Sequence, residues 1–231
     1  MAGLKKIVVS KNGPYLVYGD VPLSVQTIGS DAKGESVKWT ETKPFPAQAE
    51  YHLCRCGHSN KKPFCDGNHA KRGFDGTETA SREPVLAQAE VMDGPKMQLA
   101  DAEPLCAFAR FCDPNGRIWS QVERTDDPAV RKNFVRQAGD CPSGRLLAID
   151  KATGEAVEPG FAQSIGLIED PAMGCSGPLW VRGGIPLESA DGQAYEARNR
   201  MTLCRCGRSE NKPFCNGAHA SDPKFKDGIA A

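Results

Sequence analysis

The chain lacks a net charge, because 29 Lys and Arg offset 29 Asp and Glu. Without a field of one sign it has no electrostatic footprint for nucleic acid or an anionic membrane. Long hydrophobic runs are missing too. Nothing approaches the ~18 consecutive apolar residues of a transmembrane helix. The apolar stretch ahead of Ser10 is too short for a secretory signal core, so a cytoplasmic location is expected. Aromatics make up only 7% of the residues, which leaves the core mainly aliphatic. What the chain does have is 24 Gly, 17 Pro and 10 Cys. The first two predict turns and short strands rather than long helices. Ten cysteines in a reducing compartment point to metal ligands or buried thiols rather than a disulfide framework.

Six of the cysteines fall into a repeat. Cys54, Cys56 and Cys65 are followed by His69, and Cys204, Cys206 and Cys215 by His219. Both read C-x-C-x8-C-x3-H, within LCRCGHSNKKPFCDGNHA and LCRCGRSENKPFCNGAHA at an offset of 150. A second pair of matching blocks precedes them. NGPYLVYGDVPL from Asn12 and SGPLWVRGGIPL from Ser176 stand 164 residues apart. The first copy therefore carries about 14 extra residues between its blocks, and the polar stretch 31–46 is the expected place. Each copy reads as an apolar strand block, a connecting strand and then the Cys/His motif.

Three thiolates and one imidazole suit zinc, copper or iron–sulfur chemistry. The tight C-x-C differs from the C-x2-4-C of most structural zinc sites and demands an extended or bent backbone. The segments from Cys65 to His69 and from Cys215 to His219 read as helix starts that project both ligands from one face. Asp66 and Asn216 are the expected caps there. Pro63 and Pro213 stiffen the preceding loop. Arg55, Lys61, Lys62, Arg205, Arg208 and Lys212 read mainly as a solvated basic face, with compensation of cluster charge or docking of an acidic partner as the sharper alternative. His52 and His58 have Thr202 and Arg208 at the matching positions and are not expected to be ligands.

The two motifs resemble the CDGSH iron–sulfur domain, the mitoNEET-like family, whose pattern runs C-x-C-x2-S/T-x3-P-x-C-D-G-S/A/T-H. Cys54, Cys56, Ser59, Pro63, Cys65, Asp66, Gly67 and His69 fit, with Asn68 in place of a small residue. Cys204, Cys206, Ser209, Pro213, Cys215, Gly217, Ala218 and His219 fit the second time, with Asn216 in place of Asp. The resemblance implies two [2Fe–2S] clusters, each on three Cys and one His. Cys54 and Cys56 would bind one iron, Cys65 and His69 the other. Cys204 with Cys206, and Cys215 with His219, would repeat the scheme. Imidazole ligation implies a raised potential relative to all-Cys ferredoxins, and loss of both clusters in acid below ~6.5. A zinc knuckle on the same four ligands remains the competing reading.

Residues 79–170 have no counterpart in the repeats. Arg82 to Val91 and Pro104 to Cys112 read as short helices, and Arg117 to Glu123 as a strand. Asp113 to Gly116 reads as a turn. Asp127-Pro128 opens a helix that turns Val130, Phe134 and Val135 inward and stops near Gly139. Arg145 to Ile149 reads as a strand. Cys106, Cys112, Cys141 and Cys175 match no trusted metal spacing and read as buried thiols, a third metal site being the alternative. Cys141, near Arg145, is the best placed for reactivity.

The fold class expected is α+β, in three parts. Residues 1–78 and 171–231 are the two repeats, folded together as a pseudo-dimer topped by a β-rich unit. Residues 79–170 are a mixed helical insert. The tandem arrangement resembles longer bacterial members of the family. An electron or cluster carrier is expected, with a redox or apo-iron–sulfur protein as partner, a monomeric chain and no catalytic residue. The alternatives are an oxidoreductase with a substrate or flavin partner at the central segment, and a structural zinc module for protein interactions.

Overall fold

The computed structural model describes residues 4–229. Among them twelve strands build three sheets, with three short or medium helices between. The first half carries β1 (Lys6–Val9), β2 (Tyr15–Tyr18), β3 (Leu23–Ser30), β4 (Ser36–Pro44), β5 (Glu50–Leu53) and α1 (Asn68–Lys71). The middle carries β6 (Glu90–Asp93), β7 (Met97–Asp101), α2 (Ile118–Val122), α3 (Pro128–Asp140) and β8 (Leu146–Asp150). The last third carries β9 (Ser164–Asp170), β10 (Cys175–Arg182), β11 (Leu187–Glu188) and β12 (Arg200–Leu203). The molecule is β-rich with few helices, in keeping with an α+β class.

The repeat in the text is also a repeat in register. β2 pairs antiparallel with β5 through Tyr15↔Leu53 and Leu16↔His52. β10 pairs with β12 through Leu179↔Leu203 and Trp180↔Thr202, the same residues at offsets of 164 and 150. The copies also lend strands to each other. β3 of the first lies parallel to β9 beside the second copy, with Leu23 opposite Ile165. β11 of the second lies parallel to β1, with Leu187 opposite Ile7. Two sheets result, ordered β11-β1-β2-β5 and β12-β10-β9-β3-β4. The 31–46 stretch holds the turn and strand β4, which lengthen the first copy into a hairpin with β3.

Alternation decides which side chains go inward. β2 reads buried, half-buried, buried, half-buried, so Tyr15 and Val17 enter the core with Ile7, Val9, Val25, Leu179, Val181 and Leu203. Both sheets feed this one aliphatic cluster. β10 is buried on both faces because Trp180, on its other side, joins Ile28, Phe111 and Ile168. A strand covered on two sides reads as a continuous apolar run, as CSGPLWV does.

The middle segment makes the antiparallel sheet β6-β7-β8, packed by α2 and α3 through Leu99, Ile118, Val122, Phe134 and Leu146. α3 starts where Asp127-Pro128 predicts. The Asp127 carboxylate accepts from the Ala129 and Val130 amides, 2.7 and 3.4 Å away. Phe134 is buried as expected, while Val130 and Val135 are only half-buried.

Three local expectations fail. Arg82 to Val91 yields only a 3-10 turn at Val85–Gln88 before β6 takes over. Pro84 precedes that turn, and the Glu196 carboxylate claims the Val85 amide at 2.7 Å. Pro104 to Cys112 is a 3-10 turn at Glu103–Leu105 followed by loop, with Phe108 and Arg110 at positive φ. The Arg110 guanidinium grips both Asp170 carboxylate oxygens, at 2.9 and 2.7 Å, which fixes that backbone against a helix. Arg117 to Glu123 is the helix α2 rather than a strand. Its buried residues Ile118, Gln121 and Val122 follow i, i+3, i+4, a pattern that overlaps strand alternation over so short a run.

Candidate metal centres

β5 ends at Leu53 and hands the chain to Cys54; β12 ends at Leu203 and hands it to Cys204. In both copies the loop then folds back on its own strand. The Cys54 and Cys204 amides donate to the Pro63 and Pro213 carbonyls, each at 2.8 Å. The Cys65 and Cys215 amides return to the His52 and Thr202 carbonyls at 2.9 Å. Ser59 and Ser209, both buried, donate their hydroxyls to the Phe64 and Phe214 carbonyls at 2.6 and 2.7 Å. The motif Ser and Pro thus serve loop closure.

The donors stand in pairs. Cys54 and Cys56 sulfurs are 3.8 Å apart, as are those of Cys204 and Cys206. Cys65 Sγ lies 3.4 Å from His69 Nδ1, and Cys215 Sγ 3.4 Å from His219 Nδ1. Two sulfurs each about 2.3 Å from one tetrahedral ion sit about 3.8 Å apart, so each pair spans one edge of a tetrahedron. Among the described residues no three His, Cys, Asp or Glu side chains gather around one ion's position. Backbone amides point at the sulfurs: His58 to Cys56 at 3.4 Å, Gly67 to Cys65 at 3.5 Å, Gly217 to Cys215 at 3.3 Å.

The first ionisation is easy within each Cys pair. A hydrogen bond from Cys56 pulls the Cys54 thiol down to about 6, against desolvation. Cys204 does the same for Cys206, again to about 6. The second proton of each pair is held harder, by its hydrogen bond to the first sulfur, then by burial and the neighbouring thiolate charge. Burial, followed by the Arg205 and Arg208 charges, pushes His219 down to about 4, so its imidazole is neutral and free to ligate.

The helix-start reading holds in part. Asp66 Oδ1 accepts from the Asn68 amide at 3.1 Å and Asn216 Oδ1 from Ala218 at 3.3 Å, yet the cap residues themselves are Gly67 and Gly217. Their left-handed φ of 83 and 85° suits glycine and brings the chain round from Cys to His. The helices are one turn only, a four-residue α1 and a 3-10 turn at Ala218–Ala220.

The basic residues divide, and the solvated-face reading fails for two of them. Arg55 and Arg205 are 1% and 4% exposed. Arg55 donates to the Ser10 carbonyl at 3.2 Å and to that of Gly76, and stacks over Tyr15. Arg205 reaches Glu169 at 2.7 Å, Asp227, and the Gly177 and Ile168 carbonyls. Each is a clamp between the C-x-C turn and neighbouring chain. Lys62 and Lys212 cap the Ser59 and Ser209 carbonyls at 2.7 Å. Tyr15 is a contributor that sequence reasoning missed. Its hydroxyl reaches across to the second motif, 2.8 Å from the Cys204 carbonyl and 3.0 Å from that of Pro213. Its counterpart at the repeat offset is Leu179, and that mismatch is the signal the sequence carried.

The two centres differ in cover. Cys204, Cys206, Cys215 and His219 are all buried, whereas Cys65 and His69 are half-buried. A Cβ on Gly217 would touch the Cys106 carbonyl and Phe108 at 3.4 Å, while one on Gly67 would meet nothing within 4 Å. Asn211 also donates to the Pro104 carbonyl at 2.9 Å. The 104–108 segment therefore lids the second motif and leaves the first open.

Cys175 lies on β10, its thiol pushed up to about 11 by burial. Cys106, Cys112 and Cys141 are half-buried. Cys112 and Cys141 pack against the same α2–α3 cluster, and Cys112 is pushed up to about 12 by burial, then by Asp113, Cys141 and Cys106 beside it. Arg145 turns from Cys141 toward Asp101, which it grips through Nη2 at 2.8 Å.

Comparison with known families follows this geometry. The family described as iron-binding zinc finger CDGSH type matches residues 12–70 and 176–220, one span over each motif. A second family, described as a divergent 4Fe-4S mono-cluster, matches residues 92–151, which include Cys106, Cys112 and Cys141 but not Cys175. No curated protein and no solved structure matches the chain. Among the described residues no helix is long and apolar enough to cross a membrane. With two spans of the same family over two alike Cys/His loops, the chain carries CDGSH-type iron–sulfur-binding motifs in tandem.

Proposed function

We propose that the protein carries two [2Fe–2S] clusters, on Cys54, Cys56, Cys65 and His69 and on Cys204, Cys206, Cys215 and His219, and serves as an electron and cluster carrier. The observation that carries this reading is the pairing of donors. Each loop offers two separate tetrahedral edges, 3.8 and 3.4 Å long, with no third donor joining either. That suits two metals per loop; a zinc knuckle needs all four donors around one ion. A bound cluster supplies one-electron chemistry. The chain supplies deprotonated sulfur, neutral imidazole and amide donors to the sulfurs, which stabilise the added negative charge on reduction.

The exchanged strands and matching registers support a single-chain pseudo-dimer, with residues 1–78 and 171–231 as repeats and 79–170 as insert. Such a chain completes its own unit and is monomeric. The open first motif suits contact with a redox or apo-iron–sulfur partner, and the lidded second motif suits retention of its cluster. Iron and acid-labile sulfide per chain, the visible spectrum, and transfer to an apo-ferredoxin test the reading. About four irons and four sulfides are expected from the two motifs. Stoichiometric zinc in a colourless protein would refute it.

The 4Fe-4S match over residues 92–151 favours a second reading alongside the first, a third centre on Cys106, Cys112 and Cys141. Three thiolates leave one iron of such a cluster without a cysteine. About eight irons per chain, falling to about four in Cys112→Ser, is the outcome that reading requires.

A further inference from the structure

A cavity of about 360 Å³ lies away from the Cys/His loops, between α3, the 157–161 segment and the outer face of the five-stranded sheet. Its walls are Trp39 from β4, Trp180 and Arg182 from β10, Val135 from α3, and Val157 and Phe161. The volume is at the small end for ligand pockets and suits a molecule of one or two rings. Trp39 and Trp180 ring centres are 4.6 Å apart, and Phe161 meets Trp180 nearly edge-on at 5.5 Å. Three rings packed at angles to one another make one apolar wall of a slot beside them.

Polar groups around the slot are nearly all engaged. Arg136 binds Asp140 at 3.0 Å, Glu158 holds Arg200 at 2.8 Å, and the Trp39 indole donates to the Asp140 carbonyl at 3.0 Å. Two donors are not. Trp180 is 2% exposed and its indole N–H has no partner. Arg182 has an unpaired Nε, its guanidinium stacked 4.8 Å over the Trp180 ring. The nearest carboxylate to Arg182, Glu41, is 3.8 Å away, mostly exposed, and already accepts from Gln26 at 2.7 Å. Burial also pushes the Arg182 guanidinium below its ordinary range, as expected of a cation short of counter-charge. A cation short of hydrogen-bond partners and of counter-charge favours an anionic ligand beside it.

We propose that this cavity binds a planar aromatic carboxylate, its ring laid against the wall of Trp39, Trp180 and Phe161 and its carboxylate on Arg182. The position also ties it to the second motif. Trp180 is paired across strands with Thr202, and the Thr202 carbonyl accepts the Cys215 amide. The cavity floor is thus one residue pair from the backbone that holds a metal donor, although binding itself requires no metal.

The test is calorimetric titration of the metal-loaded full chain with naphthalene-2-carboxylate and with its neutral carboxamide. One saturable site is expected, about tenfold tighter for the carboxylate, the contribution of one charge-assisted contact. Arg182→Gln should bring the two probes to within about twofold. Gly139→Leu, which adds bulk on the α3 wall where a Cβ would already meet Pro159 at 3.7 Å, should abolish binding of both, with the visible spectrum and far-UV dichroism unchanged as controls of folding. Absence of saturable binding to the parent, equal affinity for the two probes, or binding undisturbed by Gly139→Leu would each overturn the proposal.

Discussion

Cys56 and Cys206 meet as an antiparallel backbone bridge, so that the central cysteines of the two motifs touch through their main chains. The residue after each makes this possible. A Cβ on Gly57 would stand 2.6 Å from the Cys206 carbonyl oxygen, and one on Gly207 2.5 Å from that of Cys56. Both glycines have positive φ, 78 and 80°. Gly57→Ala or Gly207→Ala should therefore combine a backbone cost of ~1–2 kcal/mol with a clash against backbone that cannot yield. Thermal unfolding should show a drop larger than that of Gly67→Ala, which has the same φ but open space. Any metal held by the two loops should be lost together in either variant, since each clash lands on the other motif's cysteine.

Acid should separate the two centres. A proton must displace the metal from an imidazole, and His219 is pushed down to about 4 by burial and by Arg205 and Arg208. His69 is only half-buried. Lowering the pH should bleach about half of the visible absorbance first, from the Cys65–His69 side, and the rest only nearer 4. In the metal-free chain the depressed His219 has its own sign. The unfolded chain takes up that proton below ~6.5 and the folded chain does not, so folding stability falls as pH drops from there toward about 4. His69→Cys should remove the early phase and leave the late one; a single unchanged phase would defeat the assignment.

Tyr15 acts on the opposite copy. Its hydroxyl lies against the Cys204 and Pro213 carbonyls inside the core. Tyr15→Phe should cost ~1–2 kcal/mol in chemical denaturation, with a buried carbonyl losing its donor. The change should speed metal loss from the second site while sparing the first, although Tyr15 belongs to the first repeat.

Arg205 sits in a buried network with Glu169 and Asp227, whose side chains are 7% and 0% exposed. Arg205→Gln leaves two carboxylates without their partner, and a loss of ~3–5 kcal/mol is expected. Burial already raises the Glu169 carboxyl despite the guanidinium beside it. Restoring charge with Arg205→Lys should recover little, because one ammonium cannot reach Glu169, Asp227 and the two carbonyls together.

Much of the site is legible in the residues. The spacing C-x-C-x8-C-x3-H groups eight Cys and His side chains into two loops, since a motif of that length folds back on its own strand through local bonds such as Cys54 to Pro63. The Asp127-Pro128 helix start is legible for the same reason, a cap that acts two residues away. Cys106, Cys112 and Cys141 were opaque because x5 and x28 are not local spacings, and only the loop held by Arg110 and Asp170 sets where the first two go. The Pro104 to Cys112 segment failed as a helix for that reason, and the burial of Arg55 and Arg205 was hidden because their partners come from distant chain.

By itself the sequence determined the two Cys/His loops, their repetition and the strands that carry them, because each depends on contacts within a few residues. Only the tertiary structure decided that the copies exchange β3 and β11, that Cys56 and Cys206 abut, and that the 104–108 segment covers one motif and not the other. Those are long-range packing outcomes, in which two near-identical loops acquire different solvent access from what is laid over them. A neutral chain with few aromatics still gathers Trp39, Phe111, Phe161 and Trp180 in one place, because burial, and not composition, chooses where side chains meet.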